Sequence, residues 1–129
     1  MPLIKFDLVV GRSPEQLQTL LDAAHDAMVR AFNVPERDRY QIVHQHSANE
    51  MMIEDTGLGI TRTQDVVVLT VTSRPRSAEQ KQAFYKETVE ALRDKCGIDP
   101  QDVLISIVTN SDEDWSFGLG EAQFVTGKL

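Results

Sequence analysis

The sequence predicts an α/β (α+β) fold: two tandem βαβ units that share one four-stranded sheet, with two helices on one face. Three observations predict it. The 129-residue chain repeats itself: shifted by 64 positions, Arg12-Ser13-Pro14-Glu15-Gln16 lies on Arg76-Ser77-Ala78-Glu79-Gln80. At the same offset, without gaps, Gln18 meets Gln82, Ala27 meets Ala91, Val34 meets Ile98, Asp38 meets Asp102 and Val43 meets Ile107. One offset held across a whole unit reads as a duplication. Each copy also runs apolar strand, capped amphipathic helix, apolar strand. Finally, a strand–helix–strand unit within one sheet is a right-handed crossover that leaves its two strands parallel. The units span about 2–47 and 66–110 and are followed by a C-terminal tail, all within a single domain covering 1–129. A chain of this length can bury one modest core.

The elements follow in order. Leu3 to Val10 is short and rich in apolar and β-branched residues, as a buried strand should be. Ser13-x-x-Gln16 is a capping box, in which the serine oxygen takes a free helix N–H and the glutamine reaches back. Leu17, Leu20, Leu21, Ala24 and Met28 then line one helical face, and Asn33 serves as the stop. A second strand is expected near Tyr40 to Gln45. Residues 48–65, with Gly57 and Gly59, connect the units as loop or hairpin.

The second copy repeats this grammar: a strand over Val66 to Ser73, a capping box at Ser77-x-x-Gln80, and a helix whose face carries Phe84, Thr88, Ala91 and Leu92. Gly97 ends that helix, and a last strand lies near Val103 to Thr109. Helices on one side leave the other sheet face bare. Grouping Ile4 and Phe6 with Val68 and Thr70, and Leu3 with Val67, Leu69 and Val71, gives two sides that both look unfit for water. A bare apolar face predicts oligomerisation.

Bulk properties narrow the partner class. A net charge of −7 argues against nucleic acid or anionic lipid as a partner recognised through bulk charge. No apolar run reaches the roughly 18–20 residues that span a bilayer, so no membrane association is expected. The start lacks a signal-peptide pattern, and the single Cys96 excludes an internal disulfide, which together suit a cytoplasmic protein.

Several residues are candidates for chemistry. A small residue such as Pro2 permits removal of Met1, giving a secondary amine that titrates much nearer neutrality than lysine. Such an amine can act as acid or base, or attack a carbonyl. In Arg74-Pro75-Arg76 the proline favours extended backbone, so two guanidiniums face one way as a carboxylate clamp, or stand as a solvated turn. Asp38, just before the second strand and flanked by Arg37 and Arg39, is a carboxylate that can activate water or hold the proline amine protonated, or else half of a surface ion pair. Trp115 and Phe117 have same-side spacing if extended and can wall a dry pocket, or anchor the tail or a subunit interface. His44-x-His46 lacks a third ligand, so no metal is expected; His25 is expected at the surface or an interface, and Cys96 as a small apolar packing residue. Gly57-Leu58-Gly59 has Arg62 where a dinucleotide fingerprint needs glycine, so no such cofactor is expected.

Over nearly its full length the chain resembles the malonate semialdehyde decarboxylases of the tautomerase superfamily. The resembling runs are Asp22-Ala23-Ala24-His25, Asp38-Arg39-Tyr40-Gln41, Glu54-Asp55-Thr56-Gly57-Leu58-Gly59, Ser73-Arg74-Pro75-Arg76-Ser77 and Asp114-Trp115-Ser116-Phe117-Gly118. The resemblance implies a homotrimer without metal or organic cofactor. It implies Pro2 as the cationic acid or carbonyl-polarising group, Asp38 as an activator of water, and Arg74 and Arg76 as binders of the substrate carboxylate. Trp115 and Phe117 would form the apolar wall. The implied reaction is decarboxylation of malonate semialdehyde (3-oxopropanoate) to acetaldehyde and CO₂. Polarisation with hydration and a Schiff-base route both remain open, as do tautomerisation of a 2-oxo acid, hydration of an unsaturated acid, or non-catalytic binding by the trimer.

Overall fold

The computed structural model describes residues 1–129. It contains β1 (Leu3–Val9), α1 (Pro14–Phe32), β2 (Tyr40–His46), β3 (Val67–Ser73), α2 (Ala78–Cys96), β4 (Val103–Thr109) and a short α3 (Gln123–Thr126). The sheet order is β2-β1-β3-β4. β1 and β2 run parallel, as do β3 and β4, and the central β1–β3 pair is antiparallel. This is the expected pair of βαβ units in one sheet.

The helix ends are fixed by local chemistry. Ser13 and Ser77 each accept the N–H of the residue three on at 3.1 Å, while Gln16 and Gln80 reach back to the serine N–H at 2.8 and 3.0 Å. Asn33 (φ 52°) and Gly97 (φ 67°) close the helices in the left-handed region, where asparagine and glycine are tolerated best. The two helices meet at Phe32 and Phe84, whose rings lie 5.0 Å apart. Both rings are buried, as are Leu20, Met28 and Leu92, against Ile4, Phe6, Leu69 and Val71 of the sheet. Each such large side chain contributes about 1.5–3 kcal/mol by leaving water.

The sheet faces differ from the sequence expectation. Register pairs Ile4 with Val71 and Phe6 with Leu69, so these four share the helix-covered face with Leu8 and Val67. The ungapped shift had put Ile4 with Val68 and Phe6 with Thr70. Because side chains alternate along a strand, a slip of one residue reverses every facing assignment. The shift of 64 holds from cap to cap but slips by one on the first strand of each unit. The bare face is therefore mixed: Lys5, Asp7, His44, His46 and Thr70 stand among Leu3, Ile42 and Val68.

Residues 48–65 form no hairpin. A turn of 3₁₀ helix (Ala48–Glu50) leads into an irregular connection, in which Asp55 accepts the N–H groups of Gly57 and Gly59 at 3.2 and 2.8 Å. No helix is long and apolar enough to cross a membrane.

Candidate active site

Topology delivers the candidate residues to one end of the sheet. β1 begins where β3 ends, since Leu3 pairs with Thr72. β2 begins there too, because Leu3 also pairs with Tyr40, and β4 ends there, because Ser73 pairs with Thr109. Pro2 thus stands beside the exit of β3, where Arg74 and Arg76 follow, and Asp38 lies two residues ahead of β2. The tail that carries Trp115 and Phe117 departs from the same edge, pinned by the Asn110 N–H to the Ser73 carbonyl at 2.9 Å.

The two arginines are held differently. Arg76 donates from Nε to Ser73 Oγ at 3.1 Å, and its guanidinium lies 5.0 Å from the Phe32 ring centre. Arg74 meets Asp112 at 3.2 Å and lies 4.1 Å from the Phe124 ring centre. Aromatic faces hold a guanidinium without using up its donors, so each fork retains N–H groups for an anion. Burial and the neighbouring Arg74 charge lower the pKa of Arg76, against the pull of Asp38.

Asp38 is no surface ion pair. It is only 7% exposed, and its Oδ2 is buried without a hydrogen-bond partner. Arg39 turns instead to Asp22 at 2.7 Å. Burial raises the Asp38 pKa, opposed by the terminal amine, Arg76, His25 and Arg74. The amine itself, on Met1, is pulled below its ordinary 8.0 by burial; Asp38 and Asp112 raise it while Arg76 and Arg74 lower it further. Terminal amine, carboxylate and two guanidiniums therefore lie within mutual electrostatic reach. With Met1 in place the Pro2 nitrogen is a peptide nitrogen, and the Pro2 ring is buried.

The aromatic residues form a continuous cluster. Trp115 stacks on Phe117 at 5.4 Å with an interplanar angle of 10°, and its Nε1–H donates to Asn110 Oδ1 at 2.8 Å. Phe117 also touches Tyr40 at 5.5 Å and Phe124, edge-on, at 5.3 Å. Ser73, Tyr40 and Phe124 were not among the sequence candidates. Tyr40 stands two residues after Asp38 but Phe124 lies beyond the motifs, and only the folded tail, through Phe117, brings the two together. His25, expected at the surface or an interface, is buried at 5% exposure under the Asp38 turn.

Other sequence signals lie elsewhere. His44 and His46 both approach Asp7, at 3.6 and 2.7 Å, on the bare sheet face. A cleft of about 550 Å³ at the opposite end of the sheet is lined by Val9, Arg12, Gln16, Asp65, Cys96 and Ile98 among others. None of Pro2, Asp38, Arg74, Arg76, Trp115 or Phe117 lines it. Convergent charge, not cleft size, therefore locates the candidate site. Cys96 is half-buried at the edge of the core, and burial raises its thiol pKa.

Known proteins resemble the chain over its whole length. Two family models, each described as tautomerase enzyme, match residues 38–118 and 2–60. The probable tautomerase YrdN of Bacillus subtilis (strain 168) is 58% identical over 129 residues, covering 100% of both chains. The probable tautomerase YusQ of the same organism is 35% identical, over 97% of this chain and 99% of its own. A solved malonate semialdehyde decarboxylase superposes with a TM-score of 0.97 at 60% identity, over 98% of each chain. A second, FG41 malonate semialdehyde decarboxylase inhibited by 3-bromopropiolate, gives 0.94 at 42% identity, over 98% of this chain and 97% of its own. Matched end to end by a relative 58% identical, and over residues 38–118 by a tautomerase family model, the chain belongs to the tautomerase superfamily of enzymes.

Proposed function

We propose that this enzyme decarboxylates malonate semialdehyde to acetaldehyde and CO₂, using the amine of Pro2 freed by loss of Met1. One observation carries the reading: the chain's amine end, a buried Asp38 and the Arg74–Arg76 pair converge at one end of the sheet beside an aromatic cluster. The 60% identity to a solved malonate semialdehyde decarboxylase supports the choice of substrate.

The chemistry follows from these groups. Arg74 and Arg76 bind the substrate carboxylate through charge-assisted hydrogen bonds. Protonated Pro2 donates to the aldehyde oxygen, where negative charge accumulates as the C–C bond breaks. The electron pair of that bond passes into the carbonyl, giving CO₂ and an enolate, which takes a proton to become acetaldehyde. Asp38, with an unpartnered oxygen, accepts a proton from water when the aldehyde is hydrated. Trp115 and Phe117 exclude solvent from the carboxylate and so ease its departure. Every group used is a side chain or the terminal amine, so the reaction as written calls on no cofactor.

The assembly proposed is a homotrimer, with each bare sheet face covered by neighbouring copies. Ile42 and Val108 are 41% and 52% exposed on the outer strands, and a fused 4-OT of similar fold forms a symmetric trimer. A sedimenting monomer at micromolar concentration would remove this part of the reading.

The deciding experiment incubates malonate semialdehyde with protein whose N-terminus is verified by mass, and measures acetaldehyde. Release that saturates with substrate supports the assignment, and absence of turnover overturns it. A second reading, tautomerisation of a small 2-oxo acid or hydration of an unsaturated one, is favoured by the names of the Bacillus relatives and by the hydratase activity attributed to the solved relative. Turnover of such an acid without acetaldehyde release would select it. Inertness toward all these substrates would leave a trimeric binding protein.

A further inference from the structure

His25 is the one histidine of three that is buried, and nothing in the chemistry above uses it. It projects from α1, and at the corresponding position of α2 stands Val89, which has no hydrogen-bonding side chain. His25 Nε2 lies 2.6 Å from the carbonyl oxygen of Glu36. A carbonyl can only accept, so Nε2 carries the hydrogen of this bond. Nδ1 is buried with no partner, so the ring is held by this one bond and by packing.

Glu36 belongs to the turn that delivers Asp38. The turn is closed by the Asp38 N–H donating to the Pro35 carbonyl at 3.0 Å, and Pro35, Glu36 and Arg37 are all exposed. An exposed turn is free to move unless something buried holds it. The bond from His25 ties its middle to the most buried face of α1. The second unit solves the same problem differently: Asp102 is fixed directly, by the amide and hydroxyl of Thr63 at 2.7 and 2.5 Å. A direct fix occupies the carboxylate; a fix through the preceding carbonyl does not.

We infer that His25 is a positioning residue for Asp38, anchoring the Glu36 carbonyl to α1 so that the carboxylate stays buried with Oδ2 free of protein donors. The inference rests on the reading that Asp38 acts in the reaction. The ionisable groups around Asp38 are the terminal amine, Arg76, His25 and Arg74. Around His25 stand Asp38 and, one turn earlier on α1, Asp22, which Arg39 and Gln18 already occupy.

The test uses His25→Ala, His25→Gln and His25→Asn in the full-length protein. A glutamine amide places its N–H near the position of Nε2, whereas the shorter asparagine does not reach the Glu36 carbonyl. The first readout is the ¹³C NMR titration of the Asp38 carboxyl, which needs no turnover. Burial raises that titration above an ordinary carboxylate. It should fall toward the ordinary value in His25→Ala and His25→Asn, as the turn loosens and water enters, and return in His25→Gln. The second readout is kinetic. In His25→Ala, kcat for malonate semialdehyde should drop roughly tenfold or more with KM within about twofold, since a placed base contributes on the order of 10²–10⁴ in rate. An Asp38 titration equal to wild type in both His25→Ala and His25→Asn would reduce His25 to a packing residue, whatever the melting temperature does. If His25→Ala fails to fold, identical titrations in the Gln and Asn variants overturn the inference equally. A wild-type protein that releases no acetaldehyde contradicts the proposed reaction instead, and leaves the NMR comparison to decide the role of His25.

Discussion

Asp38 and Asp102 stand 64 positions apart, each just ahead of the second strand of its unit, and they are satisfied in opposite ways. Asp102, 1% exposed, accepts two hydrogen bonds from Thr63, while Asp38, 7% exposed, keeps a buried oxygen with no partner. A buried carboxylate without donors costs stability, and such groups persist where they serve a reaction. The duplicated scaffold thus holds one aspartate saturated by protein donors and one left open, and each copy is the control for the other.

Neutral isosteres should separate the two roles. Asp102→Asn weakens charge-assisted bonds in a buried place and should cost roughly 1–3 kcal/mol in urea unfolding. Asp38→Asn should be neutral or stabilising near pH 7, yet lower turnover. The sign follows from the raised pKa of Asp38: the folded state favours the protonated form. Its ionisation therefore removes stability as pH rises from the ordinary carboxylate range through the elevated folded value. The advantage of Asp38→Asn should grow over that window and vanish below it. An Asp38→Asn protein as destabilised as Asp102→Asn would remove the distinction.

Most of the fold was legible because its signals are local. Ser13 and Ser77 with their glutamines, and the stops at Asn33 and Gly97, depend on a few adjacent residues, and they set both helices. The facing of β1 against β3 was not legible, because a period of two cannot absorb a one-residue slip in a repeat. At the site, the sequence offered Pro2, Asp38, Arg74, Arg76, Trp115 and Phe117, and the structure brings them to one sheet end. The roles of Tyr40 and Phe124 depend on the path of the tail, and that of Ser73 on how Arg76 folds back across the turn. His25 was read from its place in a helix, which does not say which side faces the Asp38 turn.

Both arginines should be needed. Arg74→Ala or Arg76→Ala removes a charge-assisted bond of about 1.5–3 kcal/mol and should lower kcat/KM roughly 10²-fold. Arg74→Lys should remain impaired, because an ammonium cannot reproduce the fork or its stacking over Phe124 at 4.1 Å. Ser73→Ala removes the acceptor that aims Arg76 Nε at 3.1 Å, and should cost less, about fivefold. Steady-state kinetics with malonate semialdehyde decides, and normal values in both alanine variants would move the carboxylate site elsewhere.

The aromatic wall can be read by light. Trp115 is the sole tryptophan, stacked 5.4 Å from Phe117. Phe117→Ala removes the ring that also touches Tyr40 and Phe124, admits water, and should shift Trp115 emission to longer wavelength. If the wall works by weakening carboxylate solvation, kcat should fall about tenfold or more in the same variant. Unchanged emission together with unchanged kcat would make the cluster an anchor for the tail only.

The last prediction isolates the amine. Burial pushes the Met1 amine below its ordinary 8.0, with Asp38 opposing and Arg76 and Arg74 adding to the fall. If the protonated Pro2 amine, freed by loss of Met1 beside the same charges, is the acid, activity is lost as pH rises through the pKa of that amine. The basic limb should then move further down in Asp38→Asn, which removes an anion, and up in Arg74→Ala, which removes a cation. A variant carrying a permanent N-terminal extension keeps the fold but turns the nitrogen into an amide, neither basic nor nucleophilic, and should lose nearly all activity. Pro2→Ala, with Met1 removed, retains a primary amine at the same place and should be reduced but not dead. An inactive extended chain beside a partly active alanine chain assigns the chemistry to a free amine, and borohydride trapping with substrate then asks whether that amine bonds covalently. Normal turnover by the extended chain would show instead that the carbonyl is polarised by another group, and Arg76, which also feels Asp38, would be the first to test.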